Sequence, residues 1–240
     1  MKPSPRSPFR APPSGGTRQP LLNAPTIVRW VAGVTIAAHV IRLLAMNGWL
    51  GTGEWVGRAF LTLAFIPARY GSAGAWETDL AAILISPFGH TLIHGGWAHL
   101  LVNMGFLLAF GAPVARRMGG VQFLLLYGLT AAAGAFMFTA FTPQGISPLV
   151  GASGAIFGLL GAILRVALYP PAGVPPAPFP FNQRRRAFVI AGVYVGITLL
   201  MGVAPRISGI EGAIAWEAHL GGLLAGFLLM PFFDMRGVPK

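Results

Sequence analysis

Gly151-Ala152-Ser153-Gly154-Ala155-Ile156-Phe157-Gly158-Leu159-Leu160-Gly161-Ala162-Ile163-Leu164 is apolar almost throughout, yet it carries one hydroxyl in a frame of glycines. Its apolar run predicts a helix that starts at Ser153. Gly154, Gly158 and Gly161 recur at helical spacing, so they share one small-residue face. A serine at a helix start is often only a cap, and glycines at this spacing are often only a packing face in lipid. Read alone, the stretch is a capped, glycine-packed helix. The rest of the chain decides whether it is more.

The chain has 240 residues, 55% hydrophobic and 10% charged. Soluble domains carry about 25% charged residues. An all-α, polytopic membrane protein is therefore expected, since about 20 apolar residues cross the hydrocarbon core. Thirty-three glycines fit helices packed closely on small residues. There is no cysteine, which excludes disulfides, thiolate nucleophiles and cysteine metal sites.

Six apolar segments are predicted as spans: 27–46, 90–112, 121–141, 151–169, 187–203 and 213–233. Upstream of them, residues 1–24 form a basic, proline-rich tail with Lys2, Arg6, Arg10 and Arg18 and no acid. Such a segment buries too little apolar surface to order itself. It is Arg-rich and acid-poor like a mitochondrial transit peptide, but its prolines oppose an amphipathic helix. No cleavage-like site follows the first span, which disfavours a secretory signal. The proline-rich stretch 170–182 reads as a loop, and residues 25–236 as the membrane domain.

Charge sets the orientation. With the tail in the cytoplasm and six alternating spans, all 17 basic residues except Arg42, Arg58, Arg69 and Arg206 fall inside. Arg42 lies near the outer end of the first span, where a long side chain snorkels. Glu54, Glu77, Asp79 and Glu211 fall outside. The net charge of +11 is thus accounted for by topology, with no nucleic acid partner. Both termini are expected in the cytoplasm. Residues 47–89 make a long outer connection whose Trp49, Trp55, Tyr70 and Trp76 suit a membrane interface. It is read as half-embedded in the outer leaflet, the alternative being an ordinary periplasmic loop.

The second span is dense in polar groups: His90, His94, His99 and Asn103. Such groups are costly in lipid and face a bundle interior. On one continuous helix, His99 and Asn103 share a face, as do His90 and His94, whereas His94 and His99 diverge by about 140°. His94 is therefore a supporting residue. Zinc is disfavoured: no carboxylate lies in this helix and the spacing is not His-Glu-x-x-His. Hydrogen bonding to backbone or loop groups is the plain reading of His90 and His94.

His219 lies near the outer end of the last span, at a depth similar to that of Ser153. Gly222 and Gly226 beneath it let the fourth and sixth spans approach closely. A serine hydroxyl needs an adjacent base to act as a nucleophile, which His219 supplies. An oxyanion needs donors: the Ser153 N–H, His99 and Asn103 qualify. Glu217 is two residues from His219 and points to another side of the helix, so a Ser–His dyad without a carboxylate is expected. Phe157, one turn below Ser153, is a candidate to pack on the imidazole.

These pieces together resemble the rhomboid intramembrane serine proteases: His94-x4-His99-x3-Asn103, then Gly151-Ala152-Ser153-Gly154, then Ala218-His219-x2-Gly222-x3-Gly226. The resemblance covers residues 25–236. It implies a six-helix rhomboid bundle with Ser153 as nucleophile, His219 as base, and His99 with Asn103 as oxyanion donors. It implies no cofactor and no metal. The implied partners are single-span membrane-protein substrates in the bilayer, cleaved in or near their transmembrane segment. The loop Thr142–Val150 would flank the substrate, and 204–212 would cap the site. Phe157 stands where some members have tyrosine. One departure concerns the first outer loop. Many members carry a Trp-Arg pair shortly before the second span, where this chain has Leu84-Ile85-Ser86-Pro87-Phe88; Trp55-Val56-Gly57-Arg58 lies earlier. A bacterial inner membrane is the expected location, and the sequence leaves the oligomeric state open.

Two other functions were weighed. A client-binding rhomboid-like protein usually lacks the serine or the histidine, and both stand here. A transporter would spread polar groups to both faces and show internal repeats, whereas these polar groups cluster in the outer half.

Overall fold

The computed structural model describes residues 24–51, 54–71, 79–169 and 215–234, with scattered positions between 185 and 196. The described chain is helical. The elements are α1 (Thr26–Met46), α2 (Glu54–Leu63), α3 (Ala68–Gly71), α4 (Leu80–Gly89) with a 3-10 turn His90–Leu92, α5 (Trp97–Met118), α6 (Gly120–Phe141), α7 (Ser153–Leu168) and α8 (Trp216–Phe233). Among the described residues, α1, α5, α6 and α8 are long and apolar enough to cross a membrane. At about 1.5 Å per residue, helices of this length match a hydrocarbon core of about 30 Å. Leu80–Leu92 and α7 are shorter apolar helices. Most of segment 187–203, the 204–212 loop, the 170–182 loop and nearly all of the basic tail lie outside the described residues.

The second span differs from its sequence reading. The expected helix over 90–112 is instead α5, beginning at Trp97 and running to Met118. The Gly95-Gly96 pair has poor helix propensity, and the chain there is extended, with Gly96 at φ −179° and ψ 177°. The residues before it form a separate helix, α4, where the sequence reading had only loop. His90 therefore sits in a 3-10 turn and His94 in the extended link. The shared helical face proposed for His90 and His94 does not exist. His99 and Asn103 do share a helix. One turn further, Leu107–Gly111 widens into a π turn. α5 ends on Gly119, whose φ of +92° suits glycine and reverses the chain into α6.

α8 fits between α6 and α7, and its fit is backbone on backbone. A Cβ on Gly222 would overlap the Gly154 carbonyl, and one on Gly226 the Gly158 carbonyl. This is how spans associate where lipid offers no hydrophobic drive between them. The main core gathers Leu100, Met104, Leu107, Phe123, Leu126, Ile156, Leu159 and Met230. At the end opposite Ser153, Arg117 Nε and Nη2 donate to Asp234 Oδ2 at 2.9 and 2.6 Å, tying the end of α5 to that of α8. Trp30, Leu101, Val121, Leu125, Leu228 and Phe232 are exposed on the outer faces. A contiguous apolar exterior of this kind is stable against lipid rather than water.

Candidate active site

Ser153 is the first residue of α7, so its backbone N–H is among the donors a helix leaves unused at its N-terminus. Its Oγ lies 2.6 Å from His219 Nε2. The glycine contacts between α7 and α8 set this distance, because larger residues at 222 and 226 would hold the two helices apart. The His219 ring stacks on Phe157, with centroids 4.3 Å apart and planes 9° from parallel. His219 Nδ1 is buried and has no hydrogen-bond partner among the described residues. Glu217 is buried nearby on the same helix but does not bond that nitrogen. With Nε2 accepting from the serine hydroxyl, the neutral ring carries its proton on Nδ1. Packing on Phe157, rather than a carboxylate, holds the ring.

The turn before Ser153 is fixed from the other side. Gly151 has φ +115°, a conformation costly for residues with a Cβ. A Cβ there would stand 2.7 Å from His99 Nε2 and 3.8 Å from Asn103 Nδ2. The absent side chain is thus what opens the space facing His99 Nε2 and Asn103 Nδ2. Asn103 Nδ2 donates to the His99 carbonyl at 3.0 Å, one turn back. That bond uses one of the two amide hydrogens and fixes the plane of the group. His99 Nδ1 accepts a long bond of 3.4 Å from the Gly95 N–H, which orients Nε2 towards Gly151.

His90 and His94 grip the same turn. The Gly151 N–H donates to the His90 carbonyl at 2.9 Å. His90 Nδ1 lies 3.2 Å from the Gly151 carbonyl, so that nitrogen carries the proton. His94 Nε2 accepts from the Ala152 N–H at 3.4 Å, and its ring meets that of His99 edge-on at 4.9 Å. The proximity of His94 to His99 was hidden by helical arithmetic, because the Gly95-Gly96 link folds the chain back. The bonds of His90 to Gly151 could not be read from the sequence for the same reason.

Arg42 has a role the sequence did not suggest. Its Nη2 donates to the His94 carbonyl at 3.2 Å, and its Nη1 lies 3.3 Å from Met46 Sδ, one turn nearer the end of α1. His39, one turn earlier on α1, is buried edge-on to Trp97 at 4.9 Å, and neither ring nitrogen has a hydrogen-bond partner among the described residues. No group of three or more His, Cys, Asp or Glu side chains is arranged to hold a metal among the described residues.

Comparison with known proteins assigns this arrangement to a family. The profile described as "Rhomboid domain" matches residues 82–235. RHOMBOID-like protein 1 of Arabidopsis thaliana is 33% identical over 145 residues, covering 60% of this chain and 33% of that protein. Rhomboid protease GluP of Bacillus subtilis (strain 168) is 34% identical over 178 residues, covering 70% of this chain and 29% of that protein. Putative rhomboid protease YdcA of the same organism is 33% identical over 150 residues, covering 61% of this chain and 64% of that protein. The matched stretch thus spans about a third of the first two relatives.

Proposed function

The chain belongs to the rhomboid family, and on that premise we propose that it is an intramembrane serine endopeptidase working through a Ser153–His219 dyad. The observation that carries this reading is the 2.6 Å contact between Ser153 Oγ and His219 Nε2. Its substrates are membrane proteins with a single span, cut in or near that span. Residues 25–236 form the protease domain, and residues 1–24 a cytoplasmic tail. The protein resides in a bacterial inner membrane with both termini in the cytoplasm. This orientation rests on the basic residues gathered at one side.

The steps follow from the geometry. Ser153 Oγ attacks the scissile carbonyl carbon while His219 Nε2 takes the hydroxyl proton. The carbonyl oxygen becomes an oxyanion, which the Ser153 N–H, the Asn103 amide and His99 Nε2–H receive. Collapse breaks the C–N bond, and the leaving amine takes the proton from the imidazolium. A water molecule, deprotonated by His219, then attacks the acyl ester and regenerates the serine. Gly151, without a side chain, leaves the oxyanion space open. Gly154, Gly222 and Gly226 keep the two helices close enough for the proton transfer, and His94 supports the turn.

The test is cleavage of a single-span substrate by the purified full chain in liposomes. Wild type should release the fragment, whereas Ser153→Ala and His219→Ala should retain fold and substrate binding without product. Cleavage by Ser153→Ala at the wild-type rate rejects the assignment.

A further inference from the structure

The chain lacks a Trp-Arg pair shortly before His90, and α4 occupies that position. We propose that Arg69 and Tyr70 are positioning residues that hold the turn preceding Ser153 through a single strand-like clasp. The proposal rests on the serine-protease reading above.

The clasp is the pair Phe65 and Leu149, the one isolated β-bridge among the described residues. Phe65 N–H donates to the Leu149 carbonyl at 3.2 Å, and Leu149 N–H donates to the Phe65 carbonyl at 2.7 Å. A further bond runs from the Ala68 N–H to the Gly145 carbonyl at 3.0 Å. Leu149 stands four residues before Ser153 and two before Gly151. Whatever fixes Phe65 therefore fixes one end of the turn, while His90 and His94 fix its middle. Phe65 joins the two supports: its ring is fully buried and lies edge-on to His90 at 6.3 Å.

An isolated pair of backbone bonds is weak by itself, because ordering its residues costs more than two net hydrogen bonds return. Arg69 and Tyr70 supply what it lacks. Arg69 Nη1 donates to the Leu61 carbonyl at 2.6 Å and to the Ala64 carbonyl at 3.3 Å, where α2 ends. These are acceptors a helix C-terminus leaves without partners, and a cation there is favoured. Arg69 Nε also lies 3.5 Å from Asp79 Oδ2, just ahead of α4. The Tyr70 ring stacks on Phe65 at 4.8 Å. Its hydroxyl donates to the Ile83 carbonyl at 2.8 Å and lies 3.1 Å from Ser86 Oγ. Burial raises the Tyr70 phenol above its ordinary value, so the hydroxyl remains a donor. Two adjacent side chains thus tie α2 and α4 to the clasp. Gly89 lets these two helices touch, since a Cβ there would stand 2.7 Å from Leu63 Cδ2.

The experiment measures the second-order rate constant and the end point of fluorophosphonate labelling of the full chain in detergent. The probe reacts with the serine and needs no substrate loop. For Arg69→Ala, the rate constant should fall about tenfold while the end point stays at the wild-type value, as small misplacement of a reacting group predicts. Arg69→Lys, which keeps one donor and the charge, should recover part of the loss. A merely structural role would lower the melting temperature and leave the rate constant intact, and that result overturns the proposal. Should Arg69→Ala lose its end point through unfolding, Tyr70→Phe decides. It removes only the hydroxyl, with its bonds to Ile83 and Ser86, and should slow labelling about threefold or more; an unchanged rate overturns the proposal. Absence of labelling in wild type rejects the protease reading itself, a distinct failure.

Discussion

Two regions meet at Ser153, and they are built by different physics. On one side, α7 and α8 touch backbone to backbone through Gly154, Gly158, Gly222 and Gly226, and Ser153 bonds His219 across the contact. On the other, the turn Gly151-Ala152 is held by backbone and imidazole hydrogen bonds from His90 and His94, with Arg42 bonded in turn to the His94 carbonyl. The packed side sets the distance between Ser153 Oγ and His219 Nε2. The hydrogen-bonded side sets how Gly151 faces His99 Nε2 and Asn103 Nδ2. Close packing is all-or-none, because a Cβ either fits or does not. A hydrogen-bonded turn loses its alignment by degrees.

Gly222→Val breaks the packed side outright, since its new atoms meet the Gly154 carbonyl. Overpacking of this kind costs about 1–3 kcal/mol or more. Cleavage should vanish and the melting temperature should fall, which a thermal-shift assay beside the liposome assay reads. Asn103→Ala leaves the α7–α8 packing untouched and removes the amide that the proposed mechanism uses as an oxyanion donor. It should lower kcat about 10²-fold with little change in KM, the loss expected for one such donor. Gly151→Ala places a methyl at His99 and strains the backbone by about 1–3 kcal/mol. It should lower kcat/KM about tenfold, measured as initial cleavage rates at low substrate. Phe157→Leu removes the stacked face beneath His219. Stacking of about 0.5–1.5 kcal/mol corresponds to a loss of about threefold to tenfold in kcat. An Asn103→Ala effect that disappears in a Phe157→Leu background, which keeps measurable activity, would show the two sides to be one unit rather than two.

The packed side was legible in the sequence, and on the hydrogen-bonded side only the shared face of His99 and Asn103 was. Glycines at helical spacing announce a helix contact, and Ser153 with His219 at equal depth follows from counting residues along two helices. That arithmetic holds only while the chain is helical. At Gly95-Gly96 it is extended, so His94 returns to His99 although five residues on a helix would part them. α4 lay within the expected outer connection 47–89, because its ten residues are too few to cross the bilayer alone. Nothing in the neighbours of Arg42 reveals the carbonyl of His94, 52 residues away, as its acceptor. The clasp between Phe65 and Leu149 joins residues 84 apart, through backbone atoms that carry no sequence signal.

The central claim is that Ser153 is a nucleophile activated by His219 alone. The direct measurement is fluorophosphonate labelling of the detergent-solubilised chain, with the modified residue located by peptide mass spectrometry. The account predicts a single adduct on Ser153, absent in Ser153→Ala, strongly slowed in His219→Ala and unaltered in rate by Glu217→Gln. An adduct elsewhere, or labelling at the wild-type rate without His219, would contradict it.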